Sequence, residues 1–349
     1  MKHSIVQAGL GHRGKIHLRG ILENPDRFDL VGVFDPNAET VKQAVEKFNL
    51  KCPVFSSAEE MLAKTNAEVF AFVTHPQIRL EYVKLAAKYK IKGISFEKPM
   101  ATSLTEAREM TKICTENRIK AVVSHQQKYL TQMQQMRTCV RSGILGDIEM
   151  IRVFMRPWAS QLGTHFVDYA LWANGGIGAE WVVGHAHGRE KLSDNHPSPD
   201  YLFGEGRLKN GATLIIESGY LAPRTMAEEN FWVNNRITVY GTHGYAWAET
   251  NGRCGFLTPE TQGKVDLYQY PNWGTQEPGL QTPYYRDFAD WLDNDGSRHS
   301  CNIDISLHGF EIIEGLYKSA LENTRVDLPI QGEVKDSIAE LKRLLPEQT

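Results

Sequence analysis

The sequence predicts an α/β chain in which a parallel sheet covered by helices is followed by a second, mostly antiparallel sheet. In the first 123 residues, short apolar strands alternate with helical segments, which is typical of a parallel sheet with helices on both faces. After Gln132, strands separated by glycine turns dominate, which indicates antiparallel pairing. The length of 349 residues corresponds to about two domains.

The first half is assigned from periodicity and capping. Val41, Ala44 and Phe48 recur on one helix face, and Ser103 with Glu106 forms a capping box that predicts the start of another helix. The predicted strands are 4–8, 28–34, 68–73, 91–96 and 119–123.

The second half is predicted to be richer in strands. The predicted strands are 148–155, 181–187, 212–219 and 232–240, the loops 188–200, 249–264 and 269–283, and the helices about 284–294 and 304–323. We place the first domain at 1–123 and the second at 124–349, and the closing helix at 304–323 could pack back on the first domain.

Composition and charge exclude several classes of protein. Lys and Arg number 39 against 42 Asp and Glu, and this net charge of −3 argues against nucleic-acid binding. No apolar run reaches the roughly 20 residues of a membrane span, and the N-terminus reaches its glycine turn too early for a signal peptide. Five cysteines without paired spacing favour reduced thiols in a cytoplasmic protein.

A glycine-rich loop directly follows the first strand and opens a helix, with the sequence Gly9-Leu10-Gly11-His12-Arg13-Gly14. Such a loop lets backbone N–H groups approach a pyrophosphate at a helix N-terminus. Asp35 ends the second strand, where a carboxylate accepts ribose hydroxyls and repels a 2′-phosphate. NAD is therefore favoured over NADP, although Arg13 could meet a pyrophosphate or a 2′-phosphate. The alternative is a plain glycine turn with a helix-capping aspartate.

A lysine stands where the fourth strand leaves the sheet, in the run Glu97-Lys98-Pro99. Ligands of open α/β sheets bind outside the carboxyl ends of the strands. An ammonium at this position could stabilise alkoxide character on a substrate hydroxyl as hydride leaves. The alternative is a solvated Glu–Lys surface pair.

Together these motifs resemble the Gfo/Idh/MocA family of NAD(P)-dependent sugar and cyclitol oxidoreductases. The glycine loop, His17, Asp35 and the Glu97-Lys98-Pro99 run occur in that family's order, as do the runs at 142–148, 163–168 and 241–244. The resemblance implies an N-terminal Rossmann dinucleotide-binding domain. It also implies a C-terminal α/β domain with a large open-faced, mostly antiparallel sheet, through which such proteins form homodimers or homotetramers.

The same resemblance implies that Lys98 and His165 are catalytic. His165 and Asp168 share one helix face, and a neutral imidazole can take the proton of a hydroxyl. A helix-start histidine satisfied by the backbone is the alternative. Inositol dehydrogenase-like members of the family have an aspartate four residues before this histidine, and Gln161 stands there instead.

A second departure follows the third strand, where Thr-Pro-Asn-x-x-His is usual and this chain has Thr74-His75-Pro76-Gln77-Ile78-Arg79. We still expect this loop to lie against the cofactor. The further cofactor contacts predicted are Thr74, His75, Gln77, Glu97, Lys98 and Gln126. The predicted substrate contacts are Lys98, Arg156, Trp158, Gln161, His165, Asp168 and Tyr284.

The sequence predicts no metal site and leaves three functions open. His185, His187 and His196 lack an acid or cysteine at suitable spacing, so a metal site is not expected. The first function is NAD-dependent oxidation or reduction of a small polyol, sugar or glycoside. The alternatives are an NAD-retaining glycoside hydrolase using transient oxidation and elimination, and a non-catalytic NAD-binding sensor. We expect neither a nucleic-acid nor a membrane partner.

Overall fold

The structure, a computed structural model, describes residues 1–194, 196–226, 230–332 and 336–345. Its strands are β1 His3–Ala8, β2 Phe28–Phe34, β3 Val69–Phe72, β4 Gly93–Glu97, β5 Lys120–Ser124, β6 Ile148–Met155, β7 Ala179–His187, β8 Tyr201–Leu208, β9 Thr213–Gly219, β10 Asn235–Gly241, β11 Gly244–Ala248, β12 Arg253–Leu257, β13 Asp266–Gln269 and β14 Val326–Asp327. Its α-helices are α1 His12–Leu22, α2 Ala38–Phe48, α3 Ala58–Thr65, α4 Arg79–Lys88, α5 Leu104–Glu116, α6 Thr131–Arg141, α7 Thr164–Ala173, α8 Trp273–Asp293, α9 Ile303–Glu322 and α10 Ser337–Leu344.

The chain forms two compact units, 1–126 with 277–307, and 127–276 with 308–349. The predicted division at residue 123 differs from the observed units chiefly in one segment. Residues 277–307, which were predicted in the second domain, belong to the first unit. Most of α8 and the start of α9 lie in this segment. A Cβ on Gly93 would lie 2.7 Å from Leu292 and 2.9 Å from Phe288, so α8 packs directly on β4.

The first unit contains the predicted parallel sheet, in the strand order β2-β1-β3-β4-β5. β3 and β4 are buried along their whole length, as expected for parallel strands covered on both faces. Ser103 accepts a hydrogen bond from the Glu106 backbone N–H, which confirms the predicted cap of α5. Such a cap stabilises a helix by about 1 kcal/mol.

The second unit contains the predicted mostly antiparallel sheet. Among the described residues it has nine strands, in the order β13-β12-β11-β10-β6-β9-β8-β7-β14, and all of their pairings are antiparallel except that of β6 with β9. α7 packs against β6 and β10, and it is buried over almost its whole length.

Two predicted loops are partly regular structure. The region 249–264 contains β12, which pairs with β11 on one side and β13 on the other. The region 269–283 contains the first half of α8, although Pro278 and Pro283 are inside this helix. Burial of an apolar face explains why the prediction was wrong there, because Leu280, Tyr284 and Phe288 are all buried.

Candidate active site

The glycine loop is shaped by contacts that only glycine permits at two positions. Gly9 has a φ of +87°, and a Cβ there would lie 2.2 Å from the Val73 carbonyl oxygen. A Cβ on Gly14 would lie 2.2 Å from the Gly9 carbonyl oxygen. The buried Gln7 amide donates to the carbonyls of Gly9 at 2.9 Å and Gly14 at 2.8 Å. Hydrogen bonds from this buried side chain of the same unit therefore fix the conformation of the loop.

Gly11 differs from the other two loop glycines and fits a dinucleotide phosphate. A Cβ on Gly11 would meet no atom within 4 Å, so the space beside its backbone is open. α1 begins at His12 without a side-chain cap or an acidic residue in its first turn, which leaves its N-terminus suited to an anion. His12 itself is exposed.

Asp35 lies at the end of β2 and contacts the glycine loop. Its carboxylate accepts hydrogen bonds from the backbone N–H of Leu10 at 2.7 Å and of Asn37 at 2.9 Å. The side chain is partly exposed, so it can also accept hydroxyls from a ribose. These residues together fit a dinucleotide.

Arg13 is held by two carboxylates. Its Nη2 lies 3.0 Å from Glu97 Oε1, and its Nη1 donates to Glu277. With its amide oxygen toward the guanidinium, Gln126 accepts from Arg13 Nη2 at 2.8 Å and donates to the Ser124 carbonyl at 3.1 Å. Burial lowers the pKa of Arg13, but Glu97 and Glu277 outweigh it and leave the pKa raised. Its predicted contact with a phosphate stays a prediction.

Glu97 connects Arg13 to His17 beneath the glycine loop. His17 Nε2 lies 2.9 Å from Glu97 Oε1, and His17 Nδ1 lies 2.9 Å from the Tyr285 hydroxyl. Burial alone raises the pKa of Glu97, but Arg13 and His17 hold it well below its usual range. Burial lowers the pKa of His17, more than the neighbouring carboxylate raises it. Glu97 is therefore ionised, and His17 donates to it as a neutral ring.

Lys98 follows Glu97 at the carboxyl end of β4 and is partly buried. Burial lowers the pKa of its ammonium; Glu97 opposes this change, while Arg13 and Arg79 add to it. A lysine whose pKa is lowered toward neutrality exchanges protons more readily with a bound hydroxyl. The alternative considered from sequence, a solvent-exposed ion pair of Glu97 with Lys98, does not describe this site, because Glu97 is buried and is paired with Arg13 and His17.

Arg79, at the position where the resemblance implies a histidine, joins two loops of the first unit. Its guanidinium donates to the Pro99 carbonyl and, at 2.6 Å, to the Thr74 carbonyl. Burial lowers its pKa to about 10. The sequence analysis did not predict these hydrogen bonds between the two loops. The sign of them in the sequence is an arginine at the junction of a loop and a helix.

The rest of the loop after β3 presents polar groups. His75 and Gln77 are exposed, whereas the Thr74 hydroxyl is buried and has no hydrogen-bond partner among the described residues. An orphaned buried hydroxyl near the glycine loop is consistent with a cofactor contact. The contacts predicted for Thr74, His75 and Gln77 stay predictions.

In the second unit, His165 lies in the first turn of α7 and is 3% exposed. Its Nδ1 lies 2.8 Å from the Tyr169 hydroxyl. Asp168 is fully buried and forms an ion pair with the equally buried Lys128. The structure therefore gives Asp168 a partner within the chain, and its predicted contact with a substrate is not carried further.

Three other predicted substrate residues lie between β6 and α7. Arg156 donates to the backbone carbonyls of Tyr220 and, at 3.1 Å, Ala222. Trp158 stacks on Phe231 with 5.8 Å between ring centroids. Gln161 is in a π-helical turn, Ala159–Gly163, and its amide nitrogen lies 3.5 Å from His196 Nδ1.

Tyr284 and two of the histidines considered from sequence lie in different environments. Tyr284 is fully buried in the first unit, and its hydroxyl lies 3.1 Å from Ser95 Oγ. Burial raises its pKa well above the usual value. Its predicted substrate contact is not carried further. His185 and His187 are exposed, and the described part of the chain contains no group of three or more His, Cys, Asp or Glu residues that could hold a metal ion.

Within the described residues, no helix combines the length and the apolar character that a membrane span requires. Comparison with family models gives two matches. The model described as "Oxidoreductase family, NAD-binding Rossmann fold" matches residues 4–125. The model described as "Oxidoreductase family, C-terminal alpha/beta domain" matches residues 137–328.

Individual relatives have low sequence identity to this chain, but the similarity extends over most of its length. A D-apiose dehydrogenase of Rhizobium rhizogenes is 21% identical, over 86% of this chain and 90% of its own length. A 2,7-anhydro-N-acetylneuraminate hydratase of Escherichia coli is 25% identical, over 79% of this chain and 80% of its own. The solved structure of a levoglucosan dehydrogenase with NADH and levoglucosan superposes with a TM-score of 0.77 at 17% identity, covering 94% of this chain and 100% of that chain.

Proposed function

Since the chain belongs to the Gfo/Idh/MocA family of oxidoreductases and has its NAD-binding Rossmann fold, we propose that its NAD-dependent reaction moves hydride to or from a carbinol carbon of a sugar, cyclitol or glycoside. The relative named D-apiose dehydrogenase, which aligns over 90% of its own length, supports a sugar-type substrate. The first unit binds NAD in this proposal, and the second unit binds substrate.

The observation that carries the proposal is the environment of Lys98. It is partly buried at the carboxyl end of β4, next to the ionised Glu97 and near the glycine loop on which NAD fits, and burial lowers the pKa of its ammonium. When bound, NAD supplies the acceptor or donor of hydride. Lys98 donates a hydrogen bond to the reacting oxygen and stabilises its negative charge. His165 exchanges the proton of the same hydroxyl.

The proposal gives the remaining residues supporting roles. The backbone of the glycine loop and Asp35 hold the cofactor, with Thr74, His75, Gln77 and Gln126 as further contacts. Arg156, Trp158 and Gln161 hold the substrate hydroxyls that do not react. Glu97 and Arg13 bind each other, so they act on the cofactor chiefly by fixing the loop and the lysine.

A redox-neutral reaction is the second candidate. The relative named 2,7-anhydro-N-acetylneuraminate hydratase aligns over 80% of its own length. It supports a cycle in which a glycoside is oxidised, undergoes elimination and hydration, and is reduced again with NAD retained. The absence of an aspartate at Gln161 is compatible with such a divergence.

We also propose a cytoplasmic homodimer or homotetramer. Five free cysteines are consistent with a reducing compartment, and exposed apolar side chains on the edge strand β13, Leu267 and Tyr268, are consistent with association through the second unit's sheet. Light scattering of the purified protein measures the oligomer, and a monomer would contradict this part of the proposal.

A substrate panel tests the reaction. Sugars, cyclitols and glycosides are incubated with NAD or NADP while nicotinamide absorbance and released products are both measured. The proposal predicts NADH formed together with an oxidised sugar. Release of an aglycone without net NADH would favour the second candidate, and NAD binding without turnover of any compound would favour a sensor.

A further inference from the structure

His165 is the first member of a buried hydrogen-bonded chain in the second unit. Its Nδ1 lies 2.8 Å from the hydroxyl of Tyr169, which follows one helical turn later on α7. The same hydroxyl donates to Gln127 Oε1 at 3.3 Å. All three side chains are buried, with His165 3%, Gln127 6% and Tyr169 0% exposed. Their hydrogen bonds are therefore shielded from competing water.

The chemistry of the three groups sets the direction of these bonds. An amide oxygen only accepts, so the single proton of the Tyr169 hydroxyl goes to Gln127. Tyr169 then meets His165 with an oxygen lone pair, and Nδ1 of the neutral ring must donate to it. The reverse direction would leave the buried Gln127 oxygen facing another lone pair, which is costly.

A second side-chain pair fixes the same two segments relative to each other. Lys128, next to Gln127, forms a buried ion pair with Asp168, next to Tyr169. The side chains of Lys128 and Asp168 are 0% and 1% exposed. Two consecutive residues of one segment thus hold two consecutive residues of α7, so the Tyr169 hydroxyl has little freedom to turn away from His165.

We propose that Tyr169, oriented by Gln127, is a positioning residue that holds His165 in the tautomer protonated at Nδ1. This inference rests on the proposed function, in which His165 exchanges the substrate proton. In this tautomer the lone pair is on Nε2. During oxidation the O–H bond of the substrate breaks, its proton joins Nε2, and the resulting imidazolium keeps its Nδ1–H bond to Tyr169. In the reverse direction Nε2 returns that proton.

The tautomer can be read without any substrate. In protein labelled with ¹⁵N-histidine, the ¹⁵N shifts of the two ring nitrogens report which one carries the proton, and the His165→Gln variant identifies the signals. We expect wild-type His165 to be protonated at Nδ1. Protonation at Nε2 in the wild type would overturn the inference, and would mean that Tyr169 donates to His165 instead.

Variants of Gln127 and Tyr169 separate positioning from folding. Tyr169→Phe and Gln127→Met should populate the Nε2-protonated form, whereas Gln127→Glu keeps an acceptor and should preserve the wild-type tautomer. Tyr317→Phe is the matched control, because it removes another buried phenol hydroxyl of the second unit, one that lies 3.4 Å from Ser198. An unchanged tautomer in both Tyr169→Phe and Gln127→Met would overturn the proposal. Should Tyr169→Phe fail to fold, Gln127→Met and the wild-type spectrum still decide it.

Kinetics separates this inference from the proposed function. We expect Tyr169→Phe to lower kcat about tenfold to a hundredfold, with Gln127→Glu close to wild type and NAD affinity unchanged in both. A changed tautomer with unchanged kcat would overturn the positioning role. A wild-type protein that has the expected tautomer but turns over no sugar would instead contradict the proposed function.

Discussion

Glu97 Oε1 accepts a hydrogen bond from His17 Nε2 over 2.9 Å, inside the core of the first unit. The carboxylate stays ionised because Arg13 shares the same oxygen, at 3.0 Å from Nη2. α1, which carries Arg13 and His17, is thereby linked to the end of β4, where Lys98 begins its loop. The residues that fit the cofactor and the residue proposed to act on the substrate are thus held in one buried network.

Replacing Glu97 by Gln should destabilise the first unit strongly. The neutral amide leaves the Arg13 guanidinium with less compensation in a buried site, so the free energy of unfolding should fall by about 3–5 kcal/mol. Urea denaturation measures this change. Glu109→Gln is the control, because its pair with Lys84 at 3.2 Å is exposed to solvent and should contribute little to stability. Equal effects of the two variants would contradict the role given to Glu97.

Changing Arg79 should move the pKa of Lys98. Arg79 lowers that pKa, so Arg79→Met should raise it, and Arg79→Lys should leave it nearer its wild-type value because a positive charge remains. If the ammonium form of Lys98 is active, activity is lost as the pH rises through this pKa. The alkaline limb of kcat/KM should therefore shift to higher pH in Arg79→Met only, as pH–rate profiles of the three proteins measure. A shift to lower pH would contradict the electrostatic account.

Removing the Asp35 carboxylate should weaken NAD binding selectively. Asp35→Ala loses an acceptor for ribose hydroxyls and the bond to the Leu10 N–H, so we expect affinity for NAD to fall about tenfold or more. Isothermal titration with NAD and NADP measures both affinities. Asp29→Ala, at an exposed position of β2 that pairs with Lys2, is the control. Equal binding of NAD by Asp35→Ala and wild type would refute the assignment.

Glu314 should make the stability of the second unit depend on pH. Burial raises its pKa from 4.5 to about 7, with Asp336 adding to the effect and Ser337 opposing it. Because the folded state holds the proton more tightly, the contribution of Glu314 is complete below pH 4.5 and is lost as the pH rises toward about 7, at about 1.4 kcal/mol per pH unit.

The Glu314→Gln variant should abolish that decline. Denaturant unfolding from pH 4.5 to 8 is compared with wild type and with Glu322→Gln, whose carboxylate is exposed on the same helix. We expect a flatter curve for Glu314→Gln and a curve parallel to wild type for Glu322→Gln. Identical slopes in all three proteins would show that Glu314 does not titrate in this range.

Local signals predicted the first unit well because its key residues are close in sequence. Gly9 has a positive φ and Gly14 packs against the Gly9 carbonyl five residues away, so both belong to one short motif. A helix follows this motif as predicted, although α1 begins at His12, inside the loop. Long-range pairing was harder to predict. The strand β12 follows Gly252 and contains Gly255, and it is stabilised by pairing with β11 and β13. The prolines of α8 masked a helix stabilised by burial.

In the candidate site, too, residues in local motifs were predicted from the sequence, whereas their long-range contacts were not. Lys98 was predicted from its place after a strand, but the groups that change its pKa come from distant segments at Arg13 and Arg79. Likewise, Asp168 shares a helix face with His165 as predicted, but that spacing did not reveal its pairing with Lys128. Its contact with a substrate stays a prediction. Periodicity identifies a shared helix face, but it does not reveal which side chain of another segment occupies that face.

The most direct test of the central claim is turnover by the Lys98→Met variant on a sugar that the wild type oxidises. NAD affinity is measured by titration, and NADH formation is followed in the same preparation. We expect NAD binding close to that of the wild type and loss of most turnover, about a hundredfold or more, because the variant cannot donate a hydrogen bond to the reacting oxygen. Full activity of Lys98→Met would contradict the account.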